Sequence, residues 1–264
     1  MNDIRREARR LARATLLLGH LAAGAITTHL VFPLAAVSGL DRHDRWRATT
    51  VRAWMRALLR ILNVNLRVHG IPRGGAVLIC ANHVSWLDIP CLRAVVDAGF
   101  IAKEEVRRWP LVGGMAARAG TLFLARGECD ATSRVTEHMT WRLAAGAPII
   151  VFPEGTSTDG TGVLRFHARL YQAATRQHGH VQAVAIRYPR AAGINPVVPF
   201  VGDDDLASHL WRLLGEDRIE AELHFCAPLS AHGRERRALA NATREQILGA
   251  LGLNSDHAVV TSRR

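Results

Sequence analysis

A histidine and an aspartate stand five residues apart in the stretch NHVSWLD, residues 82–88. A carboxylate that accepts a hydrogen bond from one imidazole nitrogen leaves the other nitrogen free to take a proton from a hydroxyl. Positions five apart lie about 140° apart on a regular helix, so His83 and Asp88 meet only if the chain turns between them. Pro90 fits the first turn of a helix, and a strand-to-helix turn would permit the contact. Spacing leaves a second interpretation equally open, in which Asp88 caps the helix and His83 bonds locally.

Two further motifs carry polar side chains. The stretch GTLFLAR, residues 120–126, ends in Arg126, whose planar guanidinium suits a phosphate or carboxylate, although an arginine at a strand end also pairs with solvent. The stretch VFPEGTSTDG, residues 151–160, follows an apolar run with an acid, glycines and hydroxyls. Such a turn can present backbone N–H groups to an anion or a developing oxyanion, and Glu154 could pair with Arg126 or bind substrate. Alone, this motif is also compatible with an ordinary polar loop.

The elements that would position these motifs alternate between short apolar runs and helical patterns. Predicted strands lie at 64–68, 76–81, 100–103, 121–125, 149–152, 181–186 and 197–201. Predicted helices lie at 90–97, 131–145, 168–178, 206–214 and 234–251. This order indicates an α/β fold with a largely parallel central sheet and helices on both faces. Alternating polarity over 218–225 predicts a half-exposed edge strand.

All three motifs stand at the carboxyl end of a predicted strand. Open α/β sheets hold their ligands at that edge, so the motifs are expected to share one site.

We expect residues 1–62 to form an N-terminal helical unit, associated with the membrane, ahead of a domain over 63–264. No Asp, Glu, Lys or Arg interrupts residues 14–40, and a membrane crossing needs about 20 apolar residues. Arginines flank both ends of the run, so the positive-inside rule leaves its orientation open. We expect a membrane anchor that enters one leaflet, breaks near Pro33 and returns, then an interfacial amphipathic helix over 45–62. Packing of both helices on the core is the alternative.

Composition narrows the class of protein. The 264 residues are 48% hydrophobic and 22% charged, which excludes a disordered chain. The net charge of +11 favours an anionic partner, either a nucleic acid or a membrane surface. The four cysteines form no C-x-x-C pair and the histidines form no H-E-x-x-H, so no metal site is predicted. Unpaired cysteines are typical of a reduced, cytosol-facing environment.

In these three blocks the chain resembles the phospholipid/glycerol acyltransferase family. The matched positions of its blocks N-H-x-x-x-x-D, G-x-x-F-x-x-R and F-P-E-G-T are Asn82, His83, Asp88, Gly120, Phe123, Arg126 and residues 152–156. Order and spacing agree, and the resemblance covers roughly residues 64–190. Lys103 also stands where members of the family carry a phosphate-binding lysine.

The resemblance implies acyl transfer from an acyl thioester to the free hydroxyl of a lysolipid, with residues 63–264 as the acyltransferase domain. His83 and Asp88 would be the catalytic residues, with His83 as the base and Asp88 orienting it. The implied substrate-binding residues are Asn82, Lys103, Gly120, Phe123, Arg126, Glu154, Gly155, Thr156 and Ser157. The first expected acceptor is 1-acyl-sn-glycerol-3-phosphate, which would give phosphatidic acid, and lyso-ornithine lipid is the alternative.

Two positions depart from the family pattern. Ala183 replaces a proline in the fourth block, which helps to shape the acyl pocket. Ser157 replaces the arginine that follows F-P-E-G-T in many enzymes acting on lysophosphatidic acid, and EGTSTDG is similar instead to the lyso-ornithine lipid branch.

The resemblance also sets the expected partners and location. It implies no metal or organic cofactor, since a thiol leaves easily, and the donor would be acyl-CoA or acyl carrier protein. The expected partners are the lysolipid and membrane lipids, with no nucleic acid. The active site is expected on the cytoplasmic face of the inner membrane.

Two other classes compete with this hypothesis. A lipid hydrolase could use Ser157, His167 and Asp159, but the sequence lacks a G-x-S-x-G nucleophile elbow. A non-enzymatic basic module that binds nucleic acid or membrane would explain the charge and leave the three blocks unexplained.

Overall fold

A computed structural model describes the protein over six ranges of the chain. They are residues 2–38, 45–108, 112–118, 121–124, 129–191 and 193–254. At a few positions inside these ranges, Lys103 among them, the description covers the backbone alone.

The N-terminal segment is one long helical stretch. Helix α1 (Asn2–Ile26) passes through a π-helical turn (Thr27–Val31) into α2 (Phe32–Val37). The predicted break near Pro33 is therefore wrong. Pro33 stands in the first turn of α2, directly after the π turn, where the change in hydrogen-bond register accommodates a residue without an N–H.

The apolar side of α1 and α2 is largely uncovered. The stretch Asp3–Val37 is long and apolar enough to cross a membrane. Only 22% of its apolar 18-residue segment is buried inside the protein. Helix α3 (Arg45–Ile61) follows and behaves differently. Its Leu59, and Leu62 directly after the helix, are buried in the core, so this part of its apolar face packs on the domain. The membrane contact expected of α3 stays a prediction.

The central sheet has eight strands. In chain order they are β1 (Val64–His69), β2 (Val77–Ala81), β3 (Gly99–Lys103), β4 (Leu122–Leu124), β5 (Ile149–Val151), β6 (His180–Arg187), and, after the small hairpin β7 (Pro189–Arg190) and β8 (Gly193–Ile194), β9 (Ile219–Phe225) and β10 (Leu229–Ser230). The spatial order is β1-β9-β6-β2-β5-β3-β4, with β10 on β6. Strand pairs are parallel except β6 with β9 and β6 with β10, which confirms the largely parallel sheet.

Helices cover both faces of this sheet. After α3 they are α4 (Asp88–Arg93), α5 (Glu104–Arg107), α6 (Val112–Arg118), α7 (Cys129–Ala144), α8 (Gln172–Arg176), α9 (Leu206–Gly215) and α10 (Arg236–Leu251). Strand β2 shows the division, because Val77 and Ile79 join one buried cluster while Leu78 and Cys80 join the other. The first cluster contains α3, α4 and α9 residues, and the second contains α7, α8 and α10 residues. The predicted α/β fold is confirmed.

The predicted strand at 197–201 is absent. Pro196 and Pro199 lack the N–H groups that a ladder needs. The segment nevertheless packs firmly, because Val198 is fully buried and Phe200 N–H donates to the carbonyl of Val84.

The strand predicted at 218–225 is present as β9, but its predicted position at the sheet edge is wrong. Strand β9 lies between β1 and β6, and its two glutamates pair with arginines. Glu222 pairs with Arg187 of β6 at 2.6 Å, and Glu220 pairs with Arg218 at 2.6 Å. Alternating polarity indicated a solvated strand face, but ion pairs produce the same pattern within a sheet.

Candidate active site

The loop after β2 is attached to the neighbouring strand by Asn82. This side chain is buried, donates to the carbonyl of Ile186 at 2.9 Å and accepts from the N–H of Ile186 at 2.7 Å. Asn82 thus extends the β2–β6 pairing by side-chain bonds at the point where the backbone of β2 leaves the sheet.

Within this loop the chain turns and His83 meets Asp88. The Nδ1 atom of His83 lies 2.8 Å from Oδ2 of Asp88. This oxygen also accepts from the N–H groups of Val84 at 2.8 Å and Ser85 at 3.0 Å. Asp88 therefore holds the imidazole and organises the loop backbone, and the helix cap of the second interpretation is wrong. Helix α4 begins at Asp88, but the amides that it binds precede the helix.

The carboxylate of Asp88 has no exposed surface, and its second oxygen is also bonded. Oδ1 accepts from the hydroxyl of Tyr188 at 2.6 Å. The donors on both oxygens stabilise the negative charge of the buried group. Because Asp88 is an acceptor in this arrangement, His83 carries its ring proton on Nδ1 and leaves Nε2 as the basic nitrogen.

The imidazole of His83 is held from its face as well as its edge. Its ring stacks on Phe152 with centroids 4.0 Å apart and 16° between the planes. The side chain is 21% exposed, and Nε2 makes no hydrogen bond with any described residue. A buried acid, a fixed ring and an accessible basic nitrogen together can remove a proton from a hydroxyl that approaches from outside.

Glu154 joins the third motif to the first. Its Oε1 accepts from the backbone N–H of His83 at 2.7 Å, and Oε2 accepts from the N–H of Leu164 at 2.7 Å. Burial raises the pKa of the Glu154 carboxyl to about 7, against the lowering effect of the two backbone hydrogen bonds. Glu154 therefore supports the backbone that carries the base. Its predicted contacts with substrate or with Arg126 stay predictions.

Comparison with known proteins shows the family of the chain. A family model described as Acyltransferase matches residues 65–187. A lyso-ornithine lipid O-acyltransferase from Pseudomonas aeruginosa is 37% identical over 243 residues, covering 92% of this chain and 93% of that protein. The chain belongs to the acyltransferase family.

Other relatives agree with this assignment of an acyltransferase. A 1-acyl-sn-glycerol-3-phosphate acyltransferase from Neisseria meningitidis is 34% identical, covering 77% of this chain and 81% of that protein. Among solved structures, the 1-acyl-sn-glycerophosphate (LPA) acyltransferase PlsC from Thermotoga maritima superposes with a TM-score of 0.67 at 21% identity, covering 96% of this chain and 97% of that chain. The superposition shows the same fold.

The remaining residues of the third motif follow Glu154 in the loop after β5. Gly155 adopts a φ of 73°, and a Cβ there would lie 3.1 Å from Nε2 of His167. Its N–H closes the turn on the carbonyl of Phe152 at 3.1 Å. By contrast, no hydrogen bond from the N–H of Thr156 or Ser157 reaches a described residue. Backbone amides without a partner in such a turn can bind an oxyanion or a head group.

The second motif is only partly described. Phe123 lies on β4 opposite Ala102 of β3, with the guanidinium carbon of Arg107 5.8 Å from its ring centroid. Gly120 and Arg126 lie outside the described residues, and so does the side chain of Lys103. Their predicted contacts with the acceptor stay predictions.

Sequence reasoning missed two groups that reach the first motif from later elements. Tyr188 follows β6 and bonds Asp88. His209 of α9 accepts from Nε1 of Trp86 at 2.9 Å, and its own Nε2 donates to the carbonyl of Val198 at 3.0 Å. Tyr188 could have been found by the rule that located the motifs, since it stands at the carboxyl end of a strand. The pairing of Trp86 with a residue on α9 has no counterpart in the sequence pattern.

The alternative hydrolase triad is not assembled. Ser157, His167 and Asp159 are all described, and no hydrogen bond joins any two of them. The hydroxyl of Ser157 donates to the carbonyl of Phe200, and Oδ1 of Asp159 accepts from the N–H of Thr161 at 2.9 Å.

One cluster in the described part of the chain approaches the spacing of metal ligands. His69, Glu222 and His224 place one potential ligand atom each within 4.8 Å of one another. The imidazole rings stack at 4.3 Å with 14° between the planes, so their in-plane lone pairs run side by side rather than converging on an ion. Glu222 is already paired with Arg187 at 2.6 Å. The cluster is explained by ion pairing between strands.

Proposed function

We propose that this acyltransferase moves a fatty acyl group from an acyl thioester to the free hydroxyl of a lysolipid. The observation that carries the proposal is the contact of His83 with buried Asp88, which leaves Nε2 basic and accessible at the carboxyl end of β2. The lysolipid class is supported by the names of the relatives from Pseudomonas aeruginosa and Neisseria meningitidis.

In the proposed mechanism, Nε2 of His83 takes the proton of the acceptor hydroxyl as the oxygen attacks the thioester carbonyl. The carbonyl oxygen gains negative charge in a tetrahedral intermediate, and the free amides of Thr156 and Ser157 are its proposed partners. The carbon–sulfur bond then breaks, and the imidazolium returns its proton to the departing thiolate. Asp88 stabilises the imidazolium through Nδ1. A positioned base of this kind contributes about 10² to 10⁴ in rate.

Two acceptors fit this chemistry. The first is 1-acyl-sn-glycerol-3-phosphate, for which Arg126 and Lys103 are the proposed phosphate partners. The second is lyso-ornithine lipid, and a specific observation favours it. The loop at 152–160 contains no cationic residue, because Ser157 stands where phosphate-binding relatives carry arginine, and its hydroxyl is engaged by the carbonyl of Phe200.

The acceptor and product are membrane lipids, and we propose that α1 and α2 hold the enzyme at the membrane. Leu11, Leu18 and Leu34 are between 62% and 69% exposed on this long apolar stretch. The net charge of +11 would draw the protein towards anionic head groups. A cytoplasmic active site, reached by a donor such as acyl-CoA or acyl carrier protein, is part of the same proposal.

Release of free thiol tests the reaction. Purified protein is supplied with acyl-CoA or acyl carrier protein and with either lysophosphatidic acid or lyso-ornithine lipid. We expect acceptor-dependent thiol release, and His83→Ala should lower kcat by about 100-fold or more. His232→Ala, an exposed histidine in the turn between β10 and α10, is the matched control.

The outcomes separate the competing classes. Turnover of His83→Ala within a few-fold of wild type would refute the base assignment. Acceptor-independent release of fatty acid would indicate a hydrolase. Salt-dependent retention on DNA without thiol release would indicate a basic binding module.

A further inference from the structure

We propose that Tyr188 is a positioning residue of the reaction, which holds the carboxylate of Asp88 and sets how tightly His83 retains a proton. The inference rests on the proposed function, because it assumes that His83 is the base. No motif of the sequence marks this tyrosine.

The contact is short and fully enclosed. The hydroxyl of Tyr188 lies 2.6 Å from Oδ1 of Asp88, the oxygen that His83 does not use. This distance is typical of a hydroxyl bound to a charged carboxylate. Tyr188 is 1% exposed and Asp88 is 0% exposed, so water cannot replace either partner.

Tyr188 acts as the donor in this pair throughout the working pH range. Burial raises the pKa of the Tyr188 phenol well above its ordinary value, and the neighbouring Asp88 and Cys91 raise it further. The phenol therefore keeps its proton. A donor on Oδ1 withdraws electron density from the carboxylate and weakens its hold on the imidazolium.

Other titratable groups face the same carboxylate. They are His83 from the loop, Cys91 from α4 and Glu154 from the loop after β5. Burial raises the pKa of the Cys91 thiol, which therefore stays protonated, whereas Glu154 titrates at about 7. Every variant keeps Glu154, so this carboxyl contributes equally to the pH profile of the variant and of wild type. The informative quantity is the difference between these two profiles.

Loss of the phenol hydroxyl should move the pH profile of the reaction in a defined direction. In Tyr188→Phe the carboxylate retains its charge but loses one donor, so it binds the imidazolium more strongly. The base then releases its proton only at higher pH. We expect the acidic limb of log(kcat/KM) to move up by about 0.5 to 1 pH unit, which corresponds to one hydrogen bond.

The test uses the full-length enzyme in the thiol-release assay at a series of pH values. We expect Tyr188→Phe to lower kcat by about 3- to 10-fold on the acidic limb and to leave the KM of the lysolipid within about two-fold. The chain offers a matched control in Tyr171, which is its only other tyrosine. Tyr171 is also fully buried, and its hydroxyl contacts Thr243 at 2.6 Å in the other core cluster.

A second measurement covers the case in which Tyr188→Phe does not fold. In the Tyr171→Phe protein, Tyr188 is the sole tyrosine, so biosynthetic incorporation of 3,5-difluorotyrosine labels that position alone. Fluorination makes the phenol a stronger donor with little change in shape. The acidic limb should then move to lower pH, opposite to the effect of phenylalanine.

The outcomes are distinguishable. Opposite shifts of the limb with phenylalanine and difluorotyrosine, and none in Tyr171→Phe, support the inference. An unmoved limb in active Tyr188→Phe and difluorotyrosine proteins overturns it, even if stability falls. Absence of acceptor-dependent thiol release from the wild type would instead reject the proposed function.

Discussion

Glu154 acts on the backbone of the site. Both carboxylate oxygens accept backbone N–H groups, one of them from His83. The first and third motifs are thus tied together through the backbone that carries the base.

Glu154 should make the free energy of unfolding depend on pH. Its folded pKa of about 7 lies above the ordinary value of 4.5, so its contribution is fully present below about pH 4.5 and is lost as pH rises to about 7. The full change is about 3 kcal/mol. We expect the free energy of unfolding of wild type, minus that of Glu154→Gln, to fall across this window and to stay level above it.

Thermal or urea unfolding in detergent at each pH gives this difference. Glu245→Gln, at an exposed position of α10, controls for the removal of one carboxylate. A difference between wild type and Glu154→Gln that is constant from pH 4.5 to 8 would contradict the assignment.

Helix α1 is attached to the domain at the C-terminal end of helix α9. The last carbonyls of α9 lack partners within the helix, as at every helix C-terminus. Arg13 of α1 donates to the carbonyl of Leu214 at 3.1 Å and to that of Glu216 at 2.5 Å. Arg9 adds a bond to Asp217 at 2.7 Å. Helix α1 is therefore docked through its arginines while its apolar side stays free.

Substitution of Arg13 tests whether these bonds hold α1 on the domain. We expect Arg13→Gln to lower the free energy of unfolding by about 2 kcal/mol, because charge-assisted bonds to two carbonyls are lost. Calorimetry or thermal fluorescence measures the effect. Arg5→Gln removes the same charge from an exposed position on α1 and should change Tm by no more than about 1 °C. Equal effects of the two changes would show that charge, and not docking, matters.

At the scale of the whole molecule, exposed apolar surface is concentrated on α1 and α2. Of the exposed large hydrophobic side chains, Ile4, Leu11 and Leu18 stand seven residues apart on α1, hence on one face. An uncovered stripe of this kind indicates a contact surface. With the positive net charge, it supports binding to an anionic membrane.

Vesicle sedimentation tests this surface. We expect the double substitution Leu11→Asp and Leu18→Asp to weaken binding to anionic vesicles by about 10-fold or more. Two apolar contacts with the membrane are lost, and two negative charges are added. Ile71→Asp with Val68→Asp is the matched control, because both residues are exposed outside the N-terminal stretch, at 84% and 41%. An equal loss in the control would remove the case for α1 as the contact surface.

The sequence by itself determined the α/β class, the parallel strands and the position of the three motifs at their carboxyl ends. Local period and apolar runs are sufficient for this, because each strand of a parallel sheet is buried on both faces. Local pattern failed on the strand at 197–201, where prolines interrupt it, and on the edge position of 218–225, where ion pairs produce the alternating polarity.

Only the tertiary structure decided what the polar residues do. Asp88 could have been a cap or an orienting acid, and the turn over 82–88 lets it act on both His83 and the loop amides. Its contact with Tyr188 spans 100 positions of the chain. Glu154 reaches the His83 amide across 71 positions. Such partners become neighbours through the order of β2, β5 and β6 in the sheet, and strand order is set by the packing of the whole chain rather than by any local pattern.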